Sequence, residues 1–180
     1  MSAWLLSAAV CLPAFLLLGY AGVTHLRQPS PLVASLRGHR LLPASFATRQ
    51  VVALWGAVEV LVGVSAAGGV LFPNPLAVVP LTVTGLVYLG YGCYLAVVRL
   101  TRGPVPCACT GRNSRATGPA VLRAFLLASA IAAHLAVVLA GVPRSAADAL
   151  GALLGGLLGF GLLLLVDSVG GLAVARSART

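Results

Sequence analysis

The feature that most constrains this chain is a series of five apolar runs, each long enough to cross a lipid bilayer, with most of the arginines in the gaps between them. The runs cover about Ala3 to Thr24, Arg49 to Leu71, Pro75 to Val98, Pro119 to Val142 and Ala146 to Val166, the last with a continuation towards Ala175. About 20 apolar residues span the hydrocarbon layer as a tilted helix. No water is present there to bond backbone N–H and C=O groups, so each run must satisfy its own as a helix. The expected fold class is therefore all-α: an integral membrane bundle of about five transmembrane helices. Residues 1–180 are expected to form a single transmembrane domain, with a loop at 99–118. Only 8% of the residues are charged, where soluble domains carry about 25%. A chain this short and apolar cannot cover a surface facing water. The first run has no basic stretch before it and reads as a span, not as a cleaved secretory signal.

Local signals punctuate the runs. Phe72-Pro73-Asn74-Pro75 predicts a tight turn. Gly118-Pro119 opens the fourth helix, with proline in the first turn where its missing N–H costs little. Ser145-Ala146-Ala147-Asp148 is a capping box for the fifth, which gives Asp148 a structural role. The connection from Arg27 to Thr48 is too long for a bare turn. Its Ser30-Pro31 start signal, followed by Leu32, Val33 and Leu36 on one face, predicts a short helix lying along the membrane surface. Ala124, Ala128, Ala132, Ala136 and Ala140 recur every fourth residue, as do Gly151, Gly155 and Gly159. Small residues let helices approach closely in lipid, so the last two spans are expected to pack antiparallel along these stripes.

The net charge is +9, all basic residues being arginine. One side of the bundle collects Arg27, Arg37, Arg40, Arg49, Arg99, Arg102, Arg112 and Arg115, and the tail adds Arg176 and Arg179; the other side has Arg144. This is a topology signal and not a nucleic-acid stripe, so the expected partner is the bilayer and no nucleic acid. The arginine-rich side is expected in the cytoplasm, with the N-terminus outside and the C-terminus inside. Arginine without lysine fits a GC-rich bacterial genome, and hence a multi-pass protein of the bacterial cytoplasmic membrane.

Cys107 and Cys109, in Pro106-Cys107-Ala108-Cys109-Thr110-Gly111, are the sharpest chemical feature. Two thiols one residue apart can cycle between dithiol and disulfide, and the ring is small enough to strain the disulfide and ease its reduction. Neighbouring Arg102, Arg112 and Arg115 favour the reactive thiolate. Soft-metal binding with His25 or His39, or a loop without chemistry, are the other readings. Glu59 lies near the middle of the second span, where an ionisable residue is expensive and should face the bundle interior. Arg123 and His134, eleven residues apart, share a face of the fourth span, and Glu59 is expected to face that stripe. Cys93 is a relay candidate for the Cys107–Cys109 pair, and His25 a candidate for proton transfer. Cys11 is expected to be a small apolar filler. The residues specify no cofactor and no metal site, and they do not identify a quinone.

Gly22-Val23-Thr24-His25-Leu26, then Pro29, then His39-Arg40-Leu41-Leu42-Pro43, then Glu59 and Gly63 resemble the N-terminal half of the MauE family, the methylamine-utilisation membrane proteins related to the DoxX group. Cys107-Ala108-Cys109-Thr110-Gly111 and Arg123 continue the resemblance, which runs from about Ala14 to Ala130. Thr110 stands where the family commonly has an aromatic residue, His25 where it often has lysine, and Ala124 where asparagine often follows the arginine. The resemblance implies a DoxX-like four-helix core plus one helix. It also implies a redox-associated accessory, not a stand-alone enzyme, that supports thiol–disulfide exchange or maturation of a thioredoxin-like or disulfide-rich partner. Two rivals are a non-catalytic assembly scaffold and a small transporter using Glu59, Arg123 and His134.

Overall fold

The computed structural model describes residues 2–72, 75–103, 105, 116–143 and 145–177, and the side chains of all of these except 75 and 167–177. Among them the order is α1 (Ala3–Arg27), α2 (Pro29–His39), α3 (Arg49–Leu71), α4 (Val78–Arg102), α5 (Gly118–Leu139) and α6 (Ala146–Ser177), with single 3-10 turns at Ala44–Phe46 and Pro75–Ala77. Five of these helices are long and apolar enough to cross a membrane, and α2 is the short helix expected in the first connection. The chain is an all-α, multi-pass membrane protein.

The helix ends follow local chemistry. The Ser2 hydroxyl accepts the Leu5 N–H at 3.1 Å, and the Thr48 hydroxyl accepts that of Val51 at 3.3 Å, each satisfying a donor that the first turn leaves open. Gly103, at φ +75°, ends α4 in a conformation that costs glycine little. The capping box at α6 is formed: Asp148 N–H donates to Ser145 Oγ at 3.1 Å, and Ser145 N–H to Asp148 Oδ2 at 2.9 Å. Asp148 Oδ1 also accepts the Ser2 hydroxyl at 2.8 Å, which ties the start of α6 to the start of α1. The turn at Pro73-Asn74 lies outside the described residues.

Helix α1 is the centre of the bundle. Cys11 through Phe15 are all buried, so every face of the helix is covered there. It runs antiparallel to α3 and α5, and Tyr88 of α4 donates its hydroxyl to the Ala14 carbonyl at 2.6 Å. Around it the outer helices turn leucines outward: Leu61 is 69% exposed and Leu158 77%. That arrangement suits hydrocarbon as the surrounding solvent.

The two small-residue stripes do not meet as the sequence suggests. Helix α6 lies parallel on α1, where Gly151, Gly155 and Gly159 face Leu5, Ala9 and Pro13. Helix α5 packs on α4 and α1 instead, through Ala124, Leu127, Ile131 and His134. The alanine spacing explains the error. Four residues advance 400° around a helix, so a strict fourth-residue stripe drifts by about 40° per step. Ala124 is buried, but Ala132, Ala136 and Ala140 have rotated out to exposed positions.

Candidate functional site

Helices α1 and α3 cross at two glycines. A Cβ on Gly22 would lie 2.5 Å from the Gly56 carbonyl oxygen, and one on Gly56 would lie 2.8 Å from that of Gly22. Gly63 makes a further close approach, to the Phe15 carbonyl. No side chain fits between the backbones at this crossing. His25 follows Gly22 by three residues and Glu59 follows Gly56 by three. Side chains lean towards the N-terminus of their own helix. On antiparallel helices, His25 and Glu59 therefore lean back onto the crossing from opposite sides of it.

They meet there. His25 Nδ1 is 2.6 Å from Glu59 Oε2, and the two residues are 4% and 1% exposed. The second carboxylate oxygen, Oε1, accepts the hydroxyl of Tyr91 from α4. Tyr91 in turn accepts the indole N–H of Trp55 at 2.6 Å. Trp55 precedes Glu59 by one helical turn and is 41% exposed, so a hydrogen-bonded chain runs from a dry acid–base pair to the outer surface. Both carboxylate oxygens are occupied, as burial of a charged group requires. His25 Nε2 is buried and has no hydrogen-bond partner among the described residues. The arrangement can hold and share a proton between imidazole, carboxylate and phenol.

The partners of Glu59 differ from the expected ones. Its oxygens go to His25 and Tyr91, not to an Arg123–His134 stripe. His134 is buried against α1, with Nδ1 2.9 Å from the Ser7 hydroxyl and its ring edge-on to Trp4. Arg123 is half-buried and within electrostatic range of Tyr88. Glu59 and Arg123 both act electrostatically on Tyr88, while His134 sits with Ser7 and Trp4. Cys11 is fully buried, and Cys93 is exposed on the outer face of α4. His39 is buried, with Nδ1 2.7 Å from the Tyr94 hydroxyl, which fixes the end of α2 to α4. Tyr91 and Trp55 are missing from the sequence reading. Tyr88, Tyr91 and Tyr94 recur at every third position through the middle of α4, a signal that polar partners are needed near that face.

Cys107 and Cys109, with Arg112 and Arg115, lie outside the described residues. The base of their loop is described. Ala116 N–H donates to the Val105 carbonyl at 2.9 Å. Ala116 packs with Leu95 and Val98, and Leu41, Tyr94 and Val105 cover them. This is the bundle end that carries Arg27, Arg49, Arg99 and Arg102. Tyr91 lies eleven residues before Arg102 on α4, about 16 Å along the helix axis.

A family model described as methylamine utilisation protein MauE matches residues 2–138, from α1 almost to the end of α5, and leaves α6 beyond the match. Neither the curated proteins nor the solved structures return a match.

Proposed function

The chain belongs to the MauE family, and from that premise we propose that it is a membrane-embedded accessory for thiol–disulfide exchange, with Cys107 and Cys109 as its redox pair. A thiolate of the pair attacks a partner disulfide. That S–S bond breaks, a mixed disulfide forms and one partner thiolate leaves. The second thiol gives up its proton and attacks the mixed disulfide, releasing the other partner thiolate and closing Cys107–Cys109. Two electrons pass to the partner, and the same steps in reverse oxidise it. Cys93 is the relay candidate and Arg123 a supporting charge.

The observation that carries this reading is the buried His25–Glu59–Tyr91 cluster in the half of the bundle from which the two-cysteine loop departs. Thiol–disulfide exchange moves protons with electrons, and the cluster is a dry place to hold one. The arginine-rich end favours a cytoplasmic loop at the bacterial inner membrane, which would exchange with a thioredoxin-like dithiol. A loop on the opposite face would oxidise a disulfide-rich protein, such as one in methylamine metabolism. One observation also favours the scaffold reading. Glu59 has both oxygens engaged, so its first effect is to hold α1, α3 and α4 together.

The test is trapping in cells. In a Cys93→Ala background, Cys109→Ser is expected to accumulate a mixed disulfide with a partner on non-reducing gels, and Cys107→Ser/Cys109→Ser to abolish it. An impermeant thiol reagent, applied to intact cells and to inverted vesicles, reads the side of the loop. A partner whose redox state is unchanged in the double variant rejects the redox reading and leaves the scaffold.

A further inference from the structure

Where α2 turns back towards α3 there is a groove of about 490 Å³ lined by Ser30, Val33, Ala34, Arg37, Thr48 and Arg49. Two arginines come to it from different elements, Arg37 from the last turn of α2 and Arg49 from the first turn of α3. Arg37 is held in place, because its Nε donates to the Ala47 carbonyl at 3.0 Å, which leaves the two terminal nitrogens of the guanidinium for another acceptor. Two hydroxyls, Ser30 and Thr48, share the wall. The start of α3 adds backbone N–H groups and the positive end of its dipole. Buried Val33 and the exposed methyl of Ala34 give the groove an apolar side.

Among the described residues no carboxylate lines this groove. Among the described side chains the carboxylates are Glu59, bonded to His25 and Tyr91, and Asp148, bonded at the opposite end of the bundle. No described side chain neutralises the two arginines there, which suits them to a negative charge brought by a ligand. The groove sits at the end of the spans, where α2 lies beside the membrane boundary. We propose that it binds the phosphate of an anionic glycerophospholipid, with Arg37 and Arg49 on the phosphate oxygens, the hydroxyls beside them, and the glycerol and upper acyl carbons against Val33 and Ala34. Guanidinium groups suit this task through paired, charge-assisted hydrogen bonds. The bound lipid would fasten the first connection to α3, independently of any redox role of the cysteine loop.

The probe is retention of phosphatidylglycerol, against phosphatidylcholine, by the purified full-length protein in native mass spectrometry. Each basic residue at an anionic surface contributes roughly a factor of five, so Arg37→Gln/Arg49→Gln is expected to weaken phosphatidylglycerol retention roughly 25-fold. Phosphatidylcholine retention is expected to change little. Arg27→Gln/Arg40→Gln removes the same charge from the same end outside the groove and is expected to retain most of the lipid. Equal loss in the two double variants would overturn the site in favour of diffuse attraction. Displacement of the lipid by equimolar inorganic phosphate would overturn the lipid assignment and make the groove a free-phosphate site. Should the double variant fail to fold, because Arg37 also holds Ala47, Arg49→Gln alone is read, with roughly fivefold weakening.

Discussion

Helix α1 has two glycine seams, and they work differently. Against α3, the glycines bring backbone onto backbone: Gly22 and Gly56 each face the other's carbonyl oxygen. Against α6, Gly151, Gly155 and Gly159 receive side chains, those of Leu5, Ala9 and Pro13. The first seam leaves no room to adjust and holds an acid–base pair beside it. The second is an apolar fit of knobs on a smooth strip. A stripe of small residues therefore says that a helix is approached closely, but not by what, nor whether polar chemistry is held there.

The sharpest way to break this contrast is to remove one member of the pair. His25→Leu leaves the Glu59 carboxylate buried with Tyr91 alone, and removing one partner of a buried pair costs about 3–5 kcal/mol. The expected result is a large fall in unfolding midpoint in detergent. The double variant His25→Leu/Glu59→Leu should recover most of it, since an apolar pair of similar volume carries no desolvation penalty. If the double variant is as stable as the parent yet no longer changes a partner's redox state, the pair serves function. If activity returns with stability, it serves only to clamp α1 to α3. A single His25→Leu variant as stable as the parent would make the two seams equivalent.

Next is the crossing itself. Gly56→Ala puts a methyl group 2.8 Å from the Gly22 carbonyl, and neither backbone can turn aside. Overpacking of this kind costs about 1–3 kcal/mol. It should also part His25 from Glu59, so combining Gly56→Ala with His25→Leu should cost less than the sum of the two. Additive losses would show that the crossing and the pair are independent.

How much of this can be read from the sequence depends on the range of the interaction. The five spans, the α2 helix and the Ser145–Asp148 capping box are local, set by hydrophobic length and by residues three apart, and the structure has them. Glu59 is legible as a buried acid because its cost in lipid does not depend on its neighbours. Its partner is not, because that depends on which helices cross. His25 and Arg123 both carry suitable groups, and periodicity alone prefers the Arg123–His134 face. The decision is made by Gly22 and Gly56, single glycines on different helices that form no stripe within either. Tyr91 and Trp55 depend on the same crossing. The proposed role of Cys107 and Cys109 continues to rest on sequence and family.

A smaller effect sharpens the polar side of the comparison. Tyr91→Phe removes the hydroxyl that donates to Glu59 and accepts from Trp55. Hydrogen bonds between membrane helices are worth about 0.6–1.7 kcal/mol, and the expected destabilisation lies in that range. In a Trp4→Phe background, the emission of Trp55 should shift as its indole N–H loses its acceptor. An unchanged spectrum would mean that the chain from Glu59 to the outer surface is not formed.

The smallest effect belongs to the other seam. A methyl group on Gly151 would meet Leu5 Cδ1 at 2.9 Å and the other Leu5 atoms only beyond 3.6 Å. Cδ1 is the far end of a rotatable side chain, and Leu5 is only half-buried, so a change of rotamer clears the space. Gly151→Ala should therefore fall within about 0.5 kcal/mol of the parent, helped by alanine's greater helix propensity of about 1 kcal/mol over glycine. The same glycine-to-alanine change at Gly56 meets a carbonyl that no rotamer can move. Comparable losses at the two positions would show that α6 is held as rigidly as α3, and the distinction between a backbone seam and a side-chain seam would fail.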